Sequence, residues 1–147
     1  MALLGGGVGG AGNPVGGSFT GPAEALEVIG NHAYAYSGTF GAATSSQTLL
    51  SFTSGNYYFV GKLTVNGGTE ITTPGNGTVT SWTLSMNGQT IAVMLTETAT
   101  EDMPATNSND VIIPPYTEIE VASYSSSDDA NSLTTAIMTG EIYRTRD

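Results

Sequence analysis

The first 21 residues of this chain contain nine of its 20 glycines, and this clustering divides the sequence into two unlike parts. Apolar residues in Met1–Pro22 follow neither a period of two nor one of 3.6, so they define no buried face. Fixing a backbone costs about 1–2 kcal/mol per residue, and more at glycine, which five scattered apolar side chains do not offset. We therefore expect residues 1–23 to form an arm that becomes ordered only against a partner.

The apolar side chains of the arm are its candidate partner contacts: Leu3, Leu4, Val8, Val15 and Phe19. A chain poor in Cβ atoms can lie close against other backbones, and at about 3.3–3.6 Å per residue the extended arm would reach some 70 Å. The alternative interpretation is a tag-like terminus without a binding role.

From Glu24 to Asp147 the sequence indicates a single all-β domain, because apolar alternation recurs every 8–12 residues between Gly, Asn, Ser and Pro clusters. This spacing predicts an antiparallel β-sandwich, specifically an eight-stranded jelly roll, with an immunoglobulin-like sandwich as the alternative. The eight predicted strands are Ala25–Ile29, Ala33–Phe40, Gln47–Thr53, Tyr57–Asn66, Thr78–Asn87, Thr90–Glu97, Thr117–Tyr124 and Leu133–Tyr143. Thr98–Pro115 is expected to be a long connection.

Side-chain alternation predicts which residues enter the core. Asn87-Gly88 indicates a two-residue hairpin turn, so the strands on either side should pair antiparallel. In the last predicted strand the apolar residues do not all fall on one face, which predicts a bulge or a second buried face. The expected core residues are Phe59, Leu63, Val65, Trp82, Leu84, Met86, Ile91, Val93, Leu95, Ile119 and Val121.

Composition narrows the classes of function. Thirteen acidic residues against three basic ones give a formal net charge of −10, which repels phosphate backbones and anionic lipid. No run of 18 apolar residues is present to span a bilayer as a helix. We therefore expect neither nucleic-acid nor membrane partners. Charged residues make up only 11% of the chain, so burying its surface against a neighbour carries little desolvation cost.

Catalytic chemistry has few candidate residues here. His32 is the single histidine and the chain has no cysteine, so no zinc set or catalytic triad is indicated. The carboxylate pairs Glu118/Glu120 and Glu97/Glu101 fit a glycosidase only by sequence proximity. We expect no enzymatic activity, no cofactor and no metal, although acids at 101–110 and 128–129 leave a calcium loop as an alternative.

Tyrosines provide candidate surface contacts. Tyr57 and Tyr58 are adjacent on a predicted strand, so one ring must face away from the core, and Tyr116 follows Pro114-Pro115 in a turn. Exposed aromatic rings serve sugar stacking and protein interfaces alike. The tyrosines do not separate these two uses.

Four segments carry a resemblance to a known class of proteins: Gly30–Gly38, Tyr58–Gly67, Ile112–Val121 and Thr139–Tyr143. Over about Leu26–Tyr143 the chain resembles small virion proteins of tailed bacteriophages, in particular capsid decoration or cement proteins. The resemblance implies a β-sandwich or jelly-roll subunit, a homo-oligomer with the trimer favoured, the outer surface of the capsid as location and the major capsid protein as partner. It implies no catalytic residues.

The expected function is therefore that of a structural virion protein that stabilises a phage head by bridging neighbouring capsid subunits. A carbohydrate-binding or receptor-binding module of a phage fibre or spike is the alternative, and it would use Tyr57, Tyr58 or Tyr116. A β-sandwich glycosidase is a third interpretation, which needs two carboxylates converging in a cleft.

Overall fold

The computed structural model describes residues 21–70, 79–95 and 105–144, and these ranges contain ten β-strands. In chain order they are β1 (Glu27–Ile29), β2 (His32–Tyr36), β3 (Phe40–Ala42), β4 (Gln47–Thr53), β5 (Tyr58–Glu70), β6 (Thr80–Met86), β7 (Gln89–Leu95), β8 (Ala105–Ile113), β9 (Glu118–Ser125) and β10 (Asp129–Tyr143). No helix that could cross a bilayer occurs in these ranges.

The strands form two antiparallel sheets with jelly-roll order, as predicted. One sheet has the order β1-β2-β10-β5-β8, with β3 also paired to β10, and the other has the order β4-β9-β6-β7. The roll begins with β2 beside the last strand, β10, and continues with β4 beside the second-last strand, β9, which is the double Greek-key arrangement. The short strands β1 and β3 are additions to the first sheet.

The core lies between the sheets and is built by side-chain alternation along the strands, interrupted at bulges. Phe59, Leu63 and Val65 of β5 are fully buried, and so are Trp82 of β6 and Ile119 of β9, as the sequence predicted. The intervening side chains of β5 and β9 turn outward, as expected for antiparallel sheets with one wet face. The buried indole of Trp82 donates a hydrogen bond to Thr134 Oγ1 at 2.9 Å, so its polar atom is satisfied.

The β6–β7 hairpin confirms the turn and corrects the predicted core face of β7. Asn87 and Gly88 both have positive φ, 51° and 80°, as a type I′ turn requires. The pairing then shifts between Leu84 and Ser85, because Leu84 pairs with Ala92 while Ser85 pairs with Thr90. Ile91 is the extra residue of this bulge.

The bulge moves the side chains of β7 by one position. An unbroken register would have paired Leu84 with Ile91 and turned odd-numbered residues inward, as the sequence predicted. Instead Met94 is buried, whereas Ile91 and Val93 are 59% and 68% exposed. The prediction that Ile91 and Val93 belong to the core was wrong, since a one-residue slip exchanges the faces of a strand. The side chain of Leu95, predicted with them, lies outside the described side chains.

Strand β8 occupies much of the segment predicted as a long connection. Residues 96–104 lie outside the described residues, but Ala105–Ile113 pair with β5 along their whole length. The Asn107-Ser108-Asn109-Asp110 run has low intrinsic strand propensity, and pairing with β5 overrides it. In β10 the register shifts between Leu133 and Thr135, which confirms the predicted bulge.

The two ends of the sandwich differ. One end, the turn end, carries the tight turns at 30–31, 54–57, 87–88 and 114–117, which are joined by bonds such as Tyr116 N–H to Gly55 O at 3.1 Å. At the opposite end the chain enters or leaves the described ranges, at Gly21, Glu70, Val79, Leu95 and Ala105. Gly21 is fixed there because its carbonyl accepts a hydrogen bond from Gly38 N–H at 2.8 Å.

Candidate functional site

The outer surface of the six-stranded sheet, called here the six-strand face, exposes many apolar side chains. Residues opposite each other on neighbouring strands point to the same side of a sheet, so the register places these residues together. Those more than one third exposed are Ile29, Tyr36, Tyr58, Val60, Ile112, Ile137 and Tyr143. A soluble monomer rarely gathers so many exposed apolar side chains on one face without a use for them.

Four of these residues form a continuous cluster, the tyrosine patch: Tyr58, Val60, Ile112 and Tyr143. Tyr143 lies opposite Tyr58 across the β10–β5 pair, and Val60 lies opposite Ile112 across the β5–β8 pair. Their exposed fractions are 53%, 42%, 41% and 61% in the order Tyr143, Tyr58, Val60 and Ile112. Directly opposed side chains have Cβ atoms about 4.5–5.5 Å apart, so the four present one surface near the turn end.

Charged side chains border the tyrosine patch. Lys62 Nζ lies 3.8 Å from Asp110 Oδ1, and His32 Nδ1 lies 3.9 Å from Glu141 Oε1. Both pairs are exposed and add little to stability. An apolar centre with a polar rim is the usual composition of a protein interface.

Glu141 also changes the acidity of Tyr143. The phenol of Tyr143 donates a hydrogen bond to Glu141 Oε2 at 3.0 Å. This bond and the negative charge of the carboxylate raise the pKa of Tyr143 above its ordinary value, because both favour the neutral phenol. The hydroxyl is therefore held as a hydrogen-bond donor at the edge of the patch.

The outer surface of the other sheet, the four-strand face, has a different character. Glu118 and Glu120 of β9 are exposed on it, and its remaining outward positions are mainly Ser and Thr. Among the described residues, Lys62 and His32 lie on the six-strand face, beside Asp110 and Glu141, and Arg144 follows β10. On the four-strand face the exposed apolar side chains of β7, Ile91 and Val93, form the β7 ridge.

The predicted tyrosine contacts are only partly brought together. Tyr57 packs against the core and Tyr58 faces outward, as expected for adjacent strand residues. Tyr116 is 67% exposed in the β8–β9 turn with φ of 55°. That turn is held by Ser54, whose Oγ donates to Pro114 O and accepts from Thr117 N–H, both at 2.8 Å. Tyr58 and Tyr116 thus both lie at the turn end.

The residues weighed for catalysis and metal binding do not converge in the described ranges, where no group of three potential metal ligands occurs. Asn107–Asp110 lie along β8. Asp128 accepts hydrogen bonds from Thr44 and so joins two loops, whereas Asp129 accepts a local one from Asn131 N–H. Glu97, Glu101 and Asp102 lie outside the described residues, as do the arm residues Leu3, Leu4, Val8, Val15 and Phe19.

Sequence reasoning missed Val60, Ile112 and Tyr143 as surface residues. The signal was present in Tyr58-Phe59-Val60, where apolar residues occupy both phases of a strand. Such a run indicates that both faces of the strand are covered. In β5 one face packs in the core through Phe59, and the other face carries Tyr58 and Val60 of the tyrosine patch.

Comparisons with known proteins give no family assignment. No protein-family model matches the chain, and no curated protein matches it in sequence. Among solved structures, the chain is similar to a family 35 carbohydrate binding module from an environmental isolate, with 16% identity, 86% of this chain and 89% of that one covered, and a TM-score of 0.43.

Two further solved structures show weaker similarity. Dimeric latent PorU from Porphyromonas gingivalis has 13% identity and a TM-score of 0.40, with 84% of this chain and 14% of that one covered. Infectious bursal disease virus, Gx strain, has 11% identity and a TM-score of 0.32, with 83% of this chain and 41% of that one covered. Similarity at this level carries no functional inference.

Proposed function

We propose that this protein is a structural virion subunit, a capsid decoration or cement protein that stabilises a phage head from its outer surface. The observation that carries the proposal is the six-strand face, an exposed apolar surface with a charged rim on a rigid jelly roll. The sequence resemblance to decoration proteins of tailed phages supports it. The role is non-enzymatic.

In this proposal the sandwich associates with other copies, with the trimer favoured, and residues 1–20 reach the major capsid protein. Leu3, Leu4, Val8, Val15 and Phe19 supply the apolar contacts of that arm. Each contact is small, but contacts tethered on one oligomer raise each other's effective concentration. Weak individual binding then suffices to bridge neighbouring capsid subunits.

Occupancy of heads tests the proposal. Heads assembled from the major capsid protein encoded with this chain are incubated with the full-length protein or with a variant lacking residues 1–20, and bound protein is measured by cryo-electron microscopy and gel densitometry. We expect saturable binding of the full-length protein and at least a tenfold loss for the truncated one. Absence of full-length binding would refute the cement role, and equal binding of both would refute the role of the arm.

A carbohydrate-binding module is the second candidate, and the exposed pair Tyr58 and Tyr143 favours it. Neighbouring aromatic rings on a sheet face offer an apolar surface with polar tips, to which sugars bind by stacking. A glycan array probed with the full chain separates the two functions. Saturable sugar binding that is lost in Tyr58→Ala and Tyr143→Ala, and retained in Tyr124→Ala on the opposite sheet, would favour this second function.

A further inference from the structure

The interior of the sandwich changes from apolar to polar along its length. Near the turn end, inward positions of β6, β9 and β10 carry Leu84, Ile119 and Met138. Towards the opposite end the same three strands turn hydroxyl groups inward, and none of these residues is more than 2% exposed. Hydroxyl groups buried so deeply need hydrogen-bond partners, because burying an unbonded one costs free energy. The members of this hydroxyl cluster are Thr80 of β6, Ser123 and Ser125 of β9, and Ser132 and Thr134 of β10.

Three members of the cluster bond to identified protein groups. Thr80 Oγ1 and Ser125 Oγ share a hydrogen bond of 2.9 Å. Thr134 Oγ1 accepts a hydrogen bond from the Trp82 indole at 2.9 Å and donates one to a carbonyl of β5 at 3.1 Å. Ser123 differs, because its Oγ is the one buried side-chain polar atom of the described residues that has no hydrogen-bond partner. An unpartnered hydroxyl that is almost completely buried marks a place where a further group binds.

We propose that this group is an ordered water molecule, bound between Ser123 and the hydrogen-bonded pair Thr80 and Ser125. The inference goes beyond the proposed function and does not depend on it. In the β6–β9 register Ser125 lies opposite Thr80 and Ser123 lies opposite Trp82, so Ser123 is one same-face step from the pair. That step is about 6.4–6.8 Å along a strand, which is too long for a direct hydrogen bond. One water bonded to hydroxyls on both sides spans about 5.6 Å, at about 2.8 Å for each bond.

The composition of the cluster explains why the ligand is water. Stacked sheets lie about 10 Å apart, and the apolar half of the interior fills that space with long side chains such as Phe59 and Met138. Serine side chains are too short to do so, and Ser123 and Ser132 extend into the polar half from opposite sheets. The cluster contains no charged residue and is closed to solvent, so it fits a neutral ligand of the smallest size. Buried waters typically make about three hydrogen bonds to otherwise unsatisfied polar groups.

The sign of one stability change tests the proposal. If water binds Ser123 Oγ, then Ser123→Ala removes a hydrogen bond and leaves the water with fewer partners, so the urea midpoint should fall by about 0.5 M. If the hydroxyl had no partner, the same substitution would remove a buried polar group and raise the midpoint. Ser85→Ala, at an outward position of the neighbouring strand β6, is the matched control and should shift the midpoint by less than about 0.25 M.

Direct observation of the water completes the test. A high-resolution crystal structure of the full chain should show a water within hydrogen-bond distance of Ser123 Oγ and of the Thr80 or Ser125 hydroxyl. In Ser123→Val a methyl group takes the place of the water. Trp82 is the single tryptophan of the chain and lies opposite position 123, so its fluorescence reports the change in solution. Its emission should move to shorter wavelength in Ser123→Val, because the surroundings of the indole become less polar.

Three results would overturn the inference. The first is a urea midpoint of Ser123→Ala that rises or stays within the range of the Ser85→Ala control. The second is a crystal structure in which Ser123 Oγ bonds to protein groups alone. The third is a Trp82 emission that is identical in the wild type and in Ser123→Val. None of these measurements involves phage heads, so failure of this inference is distinct from failure of the proposed function.

Discussion

At the scale of single residues, a pair of glycines lets two strands of the six-stranded sheet approach closely. Gly61 of β5 lies opposite Gly140 of β10, and the ring of Phe59 covers the pair on the core side. A Cβ atom added at Gly61 would lie 2.2 Å from Thr139 O and 2.6 Å from the Phe59 ring. Both distances are well inside van der Waals contact, and Thr139 O is backbone that cannot turn aside.

We therefore predict that Gly61→Ala destabilises the fold. Overpacking of this kind costs about 1–3 kcal/mol, and the clash with Thr139 O can be removed only if the backbone of β10 moves. The free energy of unfolding, measured by urea denaturation, should fall by that amount. Thr139→Ala, at an exposed neighbouring position, serves as the control and should stay within about 0.5 kcal/mol of wild type. Equal stability of both variants would contradict the close approach of β5 and β10.

A second residue-scale prediction concerns Tyr143. Its pKa is raised by the hydrogen bond to Glu141 and by the charge of that carboxylate. Since the folded pKa exceeds the unfolded value of about 10, the bond stabilises the fold below that pH, and the stabilisation is lost as pH rises through the folded value. Above its folded pKa the phenol is ionised, so it no longer donates a hydrogen bond to Glu141.

Replacing the carboxylate tests this cause. In Glu141→Gln the charge is removed, so the pKa of Tyr143 should move down towards its ordinary value. Ring carbon shifts of labelled tyrosine, followed by nuclear magnetic resonance between pH 8 and 12 and assigned with Tyr143→Phe, measure it. An unchanged Tyr143 titration would rule out Glu141 as the cause.

At the scale of elements, the β6–β7 hairpin shows how one residue decides a core face. The bulge at Ile91 turns Met94 inward and Val93 outward. Truncating a buried Met to Ala costs about 2–5 kcal/mol, whereas exposed positions change stability by about 0.5 kcal/mol or less. Met94→Ala should therefore lower the free energy of unfolding much more than Val93→Ala does. Urea denaturation of both variants, at concentrations where the chain is monomeric, measures this. An unbroken hairpin register would give the reverse order, with Val93→Ala the costly change.

The same hairpin shows which features of the fold can be predicted from the sequence alone. Asn87-Gly88 determined the turn, and alternation in Tyr57–Asn66 and Thr117–Tyr124 determined which residues are buried, because these signals act within a few positions. The bulge carried no comparable signal, since Ile91 and Val93 are as apolar as core residues. Strand β8 was missed because Asn107–Asp110 become a strand only through pairing with β5. The tyrosine patch likewise depends on the register of three strands that are distant in sequence.

At the scale of the whole molecule, the first described residues join the arm to the sandwich. Ala23 is buried, its N–H donates to Leu49 O at 3.0 Å, and its carbonyl accepts from Ser51 N–H at 2.9 Å. Leu26 packs against the core cluster. Ala23 thus covers part of the edge of β4, a strand that contains no charge to prevent pairing with another chain. The domain therefore depends on residues that precede β1.

This arrangement predicts a sharp difference between two truncations. Deleting residues 1–20 keeps the hydrogen bonds between Ala23 and β4 and the packing of Leu26 on the core, so the melting temperature should change by less than about 2 °C. Deleting residues 1–26 removes three backbone hydrogen bonds, two of Ala23 and one of Gly21, worth about 1 kcal/mol each. It also removes the partial burial of Leu26, worth at most about 1.5–3 kcal/mol. Thermal unfolding followed by circular dichroism should then show a loss of several degrees, together with aggregation through the uncovered β4 edge. Equal melting temperatures would mean that residues 21–26 do not support the sandwich. In that case the two deletions would be interchangeable in the head-binding assay, whereas the predicted difference makes the shorter one the valid test of the arm.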